Sequence, residues 1–174
     1  GSPFFITSQD VQIVTVAQKG GNFNSVKAAN DYITDASASK VYVVYVGPGI
    51  YTEDPIVMKP YVSIIGFIRT SCTLQGSGVA VGDNFITLAS YSTVRRLTLT
   101  TSTTVNSNIF YFPGGAGMYR IVDCTYGNAD KHIYLNTSSI GSLGIIQGSI
   151  ILNAASFRKH LYATDNGTLQ TSVL

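Results

Sequence analysis

The residues able to do chemistry are few and scattered. Asp83, Asp123, Asp130 and Asp165 are the carboxylates of the C-terminal half, and Glu53 is the only glutamate in the chain. Glycoside hydrolysis takes two carboxyl groups on opposite sides of a scissile bond, and these aspartates fall in separate segments, mostly beside turn residues. His132 and His160 supply two imidazoles, but a zinc site needs further ligands, and the equivalent positions nearby are Asn. Arg96 and Arg120 could supply the base of a polysaccharide lyase, but no cluster of Asp for Ca²⁺ accompanies them. No Ser-His-Asp order, P-loop or dinucleotide glycine fingerprint is present. The sequence therefore predicts no catalytic residue, no metal and no cofactor.

Composition narrows the class. Charged residues make up 11% of the 174, against about 25% in an average protein. Gly, Ser, Thr, Asn and Tyr fill the places of Lys and Glu, as in β-rich extracellular proteins. A formal charge of +2, with no basic cluster beyond pairs such as Arg95-Arg96, gives no argument for nucleic acid. No apolar run approaches the ~20 residues of a membrane span. Gly1-Ser2 reads as a cloning scar and no signal peptide is visible. Cys72 and Cys124 form no motif and read as free, packed thiols.

The elements that must position these residues come next. "VQIVTVA", Val11 to Ala17, alternates as a strand. Asn24 or Ser25 can cap a helix over "SVKAANDYITDA", with Val26, Ala29, Asn30 and Ile33 on one face. After Lys40 short β segments alternate with turn residues. Four of them align, starting at Asn84, Asn108, His132 and His160, which lie 24, 24 and 28 residues apart. Phe85, Ile109, Ile133 and Leu161 form one apolar column, and Leu97, Ile121, Ile145 and Val173 a second. A coil of about 24 residues with stacked core columns is a β-solenoid.

This alignment assigns the remaining columns. Asn84, Asn108, His132 and His160 would form a polar ladder. Ile86, Phe110, Tyr134 and Tyr162 would face outward, as a contact for neighbouring subunits, as ordinary exposed β residues, or as a contact for glycan. Arg96 and Arg120 would stack, and Asp123 would lie beneath Leu99 and above Gln147. The cysteines would be two coils apart, ~10 Å, too far for a disulfide. The helix would cap the first coil. The register stops in mid-coil at Leu174, which predicts a fragment or an end covered by partner chains.

The stretches "IVTVAQKGGNFNSVKAANDYI", "VYVVYVGPGIYTE", "VSIIG" and "TLQG" resemble the N-terminal part of pectin methylesterase-like or pectate-lyase-like right-handed parallel β-helix proteins. The match spans Ile13 to Gly76, about a third of the chain. It centres on Pro48-Gly49-Ile50-Tyr51-Thr52-Glu53, with Gly66 closing the next strand. The resemblance implies an all-β, right-handed single-stranded parallel β-helix with one N-terminal capping α-helix. Residues 1–2 are set aside, 3–40 hold the first strand and helix, and 41–174 hold the coils of a single domain. Gly47, Pro48 and Gly49 would make a tight corner with Tyr51 packed on it, and Glu53 would be a structural hydrogen-bonding residue. The esterases of that family use motifs reading Gln-Asp-Thr-Leu, Asp-Phe-Ile-Phe-Gly and Gly-Arg-Pro-Trp. None occurs here, and there is no Trp, so no catalytic role carries over.

"VGPGIYTEDPIVMKPYVSIIG" also looks like the opening of β-helix modules in fibre, tail-spike and surface proteins of large DNA viruses and phages. That resemblance implies a non-enzymatic structural or attachment module, homotrimeric, on a virion surface or extracellular. A host-surface glycan would be its further partner, with no nucleic acid or membrane. The competing expectation is a carbohydrate-active enzyme (polysaccharide lyase, glycoside hydrolase or esterase) or a glycan-binding module.

Overall fold

The computed structural model describes residues 10–102, 107–113, 117–136, 142–147, 150–151 and 159–164. Its strands form three sheets, and every pairing is parallel. The long sheet holds β1 (Asp10–Val16), β2 (Lys40–Val46), β5 (Val62–Gly66), β8 (Ser92–Arg95), β11 (Gly117–Val122) and β14 (Ser142–Gln147), in that spatial order. The second, a threonine-rich sheet, runs β3 (Gly49–Glu53), β6 (Cys72–Gly76), β9 (Thr98–Thr101), β12 (Thr125–Tyr126) and β15 (Ile150–Ile151). The third, which carries a tyrosine row, runs β4 (Ile56–Val57), β7 (Asn84–Thr87), β10 (Asn108–Phe112), β13 (Lys131–Asn136) and β16 (Lys159–Thr164). From β2 onward each strand enters the next sheet in strict rotation. The chain is thus mostly β and parallel, with one short helix among the described residues.

Alternation decides what is inside. Val44, Val46, Val62, Ile64, Val94 and Ile121 of the long sheet meet Leu74 and Leu99 of the threonine sheet and Ile56, Ile86 and Phe110 of the tyrosine sheet in one buried cluster. Burying each such side chain is worth about 1.5–3 kcal/mol. Gly66 is required by a close approach: a Cβ there would lie 2.1 Å from the Arg96 carbonyl oxygen.

Helix α1 (Val26–Tyr32) buries Val26, Ala29 and Asn30, followed by Ile33, the stripe its spacing predicts. Ser25 is the N-cap, its Oγ accepting from the Ala28 N–H at 3.1 Å. The helix stops at Tyr32, short of the sequence expectation, because Ile33 turns extended. Lys59 Nζ donates to the carbonyls of Asp31, at 2.9 Å, and Ile33, which satisfies C-terminal acceptors of the helix.

The register differs from the sequence alignment in two places. Phe110 pairs with Ile86 on one side and Ile133, not Tyr134, on the other. The step from β10 to β13 is 23 residues rather than 24, and one residue of slip moves every side chain to the opposite face. Ile86 and Phe110 are fully buried core residues instead of outward contacts. Tyr134 and Tyr162 instead share a column with Tyr111. The ladder from Asn84 to Asn108 continues to Lys131 and Lys159, so His132 and His160 leave it.

In the long sheet Ile121 pairs with Val94 and Ile146, so Leu97, Ile121 and Ile145 are not one column; Val173 lies outside the described residues. Arg120 pairs with Thr93, and Arg96 turns the corner at φ 57, so the two arginines do not stack. The equivalent corner residue one strand later is Asp123, φ 53, and Val122 is the residue beside Gln147. Sequence alignment at constant spacing cannot see these corners, because the turns between sheets vary in length while the strands keep their partners.

Candidate functional site

The described carboxylates are distributed, and several are engaged. Asp123 accepts a charge-assisted hydrogen bond from Arg69 Nη1 at the corner after β11. Asp130, buried at the corner before β13, pairs with Lys131 at 2.7 Å. Asp83 precedes β7 at the same corner two strands away, ~10 Å off. Asp31 pairs with Lys27 and Asp35 with Lys40, each at 2.5 Å. Asp165 lies outside the described residues. No group of three His, Cys, Asp or Glu among the described residues is placed to hold a metal.

Glu53 shows where the one glutamate goes. It is buried at the end of β3, beneath the start of α1. Oε1 accepts from the Val26 N–H at 2.6 Å, and Oε2 from Ser25 Oγ at 2.7 Å and the Lys27 N–H at 3.2 Å. A carboxylate here meets donors that the helix start leaves open. In the preceding corner Tyr51 donates its hydroxyl to the Gly47 carbonyl at 2.8 Å. Gly49 sits at φ 155, with Gln18 packed where its Cβ would be, and Pro48 lies between them.

The polar residues of the third sheet split. Asn108 Nδ2 donates to Asn84 Oδ1 at 2.8 Å, a two-rung ladder. His132 is buried, its ring stacked on Tyr126 at 5.1 Å and its Nε2 2.9 Å from the Gly127 carbonyl oxygen. Only the backbone of His160 is described. Both cysteines are free and buried. Burial pushes the Cys124 thiol up to about 12, so it is not a nucleophile at neutral pH.

Aromatic pairs also lie at the surface. Tyr111 and Tyr134 meet at 5.2 Å, both half-buried, with Lys131 5.6 Å over the Tyr134 ring. The sequence alignment missed Tyr111 because of the one-residue slip. Tyr61 and Tyr91 stack flat, 5.1 Å apart and 7° between planes. They occupy equivalent positions just before β5 and β8, at φ 62 and 58. Left-handed backbone costs a bulky residue roughly 1–2 kcal/mol, and no sequence pattern marks these two as corner residues. Beside Tyr61 an open groove is lined by Ile33, Ala36, Ser37, Lys59 and Pro60.

Among the described residues the arrangement supplies aromatic surfaces and rows. Compared with known proteins, the chain matches no family model, and no curated protein is found to be similar to it.

Proposed function

We propose that the three parallel sheets wind as a right-handed β-helix and that the chain is a non-enzymatic structural or attachment module of a viral or phage fibre or surface protein. It works as a homotrimer on a virion surface or outside the cell. The strict rotation of strands through three parallel sheets supports the winding. The observation that carries the non-enzymatic reading is the engagement of the acids: Glu53 is spent on the helix start, and Asp31, Asp35, Asp123 and Asp130 each face a cation. These Asp–cation pairs, spread over the described residues, tie corners and loops together.

The test has two parts. Light scattering of the purified chain is expected to give a multiple of three chains. A polysaccharide panel is expected to yield no new reducing ends and no unsaturated sugars; release of either overturns the non-enzymatic reading. A glycan-binding role is favoured by one further observation, the flat Tyr61–Tyr91 stack, with Tyr91 55% exposed. The exposed Tyr91 ring, held flat by its stack on Tyr61, suits a sugar face, and loss of glycan retention in Tyr91→Ala would locate it there.

A further inference from the structure

β1 is the outermost strand of the long sheet, and its free side is only partly covered. The Asp10 N–H donates to Ser39 and the Val16 carbonyl accepts from Gly47, so the even-numbered residues of β1 face β2. Val11, Ile13 and Thr15 therefore direct their backbone groups away from the sheet. At Thr15 that side is closed: its N–H donates to Asn22 Oδ1 at 2.9 Å, and its carbonyl accepts from the Phe23 N–H at 3.0 Å. Among the described residues nothing bonds the outward N–H and C=O of Val11 or Ile13. Their side chains stand on the sheet's outer face, 53% and 66% exposed.

Natural sheets blunt such edges with Lys, Pro or a bulge. This strand has none of them. Val11 to Val16, "VQIVTV", is six residues of high β-propensity with no charge. Apolar side chains continue inward from it across the outer face, with Val41 and Val43 of β2 beside Val11 and Ile13.

We infer that this edge pairs with the same edge of a second copy of the chain, antiparallel and two-fold about Gln12. That register sets Val11 opposite Ile13 of the second copy and Ile13 opposite its Val11. All four outward groups of each chain are then satisfied, in four hydrogen bonds across the junction. The apolar side chains of Val11 and Ile13 meet across it and join the two outer faces into one band. The Asn22–Phe23 loop fixes the length of the ladder, because Thr15 is already taken. A two-fold pairing is self-complementary, which is why a second copy fits the edge: one strand supplies both halves.

The pairing is separate from the trimer reading and multiplies whatever assembly exists by two. Ile13→Pro tests it. Proline removes an N–H that points away from β2, a placement edge strands tolerate, and Val11→Lys, at a half-exposed side chain, is the second variant. Light scattering is expected to show the mass of the wild-type assembly halved in both variants, with wild-type circular dichroism and melting. A mass that neither variant changes, or a wild-type chain that stays monomeric at every concentration, overturns the pairing. A mass halved by the variants but never divisible by three keeps the pairing and removes the trimer. A trimer unchanged by the variants does the reverse.

Discussion

Three strand edges lie at the same end of the molecule, and they are treated in two ways. β3 and β4 end their sheets under polar cover. Gln18 Nε2 donates to the Ile50 carbonyl of β3 at 3.1 Å, Glu53 at the end of β3 ties the strand to α1, and Asn30 Nδ2 donates to the Val57 carbonyl of β4 at 2.9 Å. β1 has such cover only at Thr15. The difference teaches that covering an edge takes donors and acceptors placed in advance, here supplied by the loop after β1 (Gln18, Asn22 and Phe23) and by Asn30 of α1. Where neither reaches, the edge stays open.

The comparison breaks most visibly at Glu53. Glu53→Ala removes the acceptor of two backbone N–H groups and one hydroxyl in a buried position, and is expected to cost about 3 kcal/mol. Urea unfolding measures this, and the α1 amides should lose hydrogen-exchange protection ahead of the sheets. Asn30→Ala removes one donor from β4 and is expected to cost about 1 kcal/mol. It also converts a covered edge into an open one, so the variant should self-associate more than wild type in sedimentation, through an edge that Ile13→Pro does not block.

The smallest effect sharpens the boundary between helix and β2. Hydrogen bonds from Lys40 and then from the Tyr42 hydroxyl hold the exposed Asp35 carboxyl below its usual range, and the Asp35 bond holds the Lys40 ammonium above its own. The Asp35 contribution is fully present above the unfolded carboxylate range, near pH 4, and is lost as pH falls through the lower folded value. The Lys40 contribution is present below about pH 10.5 and is lost as pH rises through the higher folded value. Asp35→Asn should therefore leave the melting temperature nearly unchanged at neutral pH, as exposed pairs contribute little. It should reduce the slope of stability against pH only at the two extremes. A large neutral-pH loss would mean this loop, rather than Glu53, anchors the helix.

Much of this end of the molecule was legible in the sequence. The helix stripe of Val26, Ala29, Asn30 and Ile33, the Ser25 cap and the first strand all follow from short-range periodicity, which the backbone imposes within one element. The C-terminal aspartates could be read as scattered because they fall in separate segments. The columns were only half legible. Phe85 and Ile109 are buried as the columns require, but Ile86 and Phe110 beside them are buried as well, and the step to β13 is one residue shorter, so Tyr111 rather than Phe110 shares the column of Tyr134.

The sequence by itself determined which residues alternate, where turns fall, and that Glu53 is the only glutamate. Tertiary structure alone decided the pairing register, because strands are matched by hydrogen bonds to partners 20 to 30 residues away while the turns between them absorb any surplus. It alone placed Glu53 beneath the helix start, stacked Tyr61 on Tyr91, and left Val11 and Ile13 on an open edge. Contacts within an element are set by spacing along the chain; contacts between elements are set by which backbone groups remain to be satisfied once the core has closed.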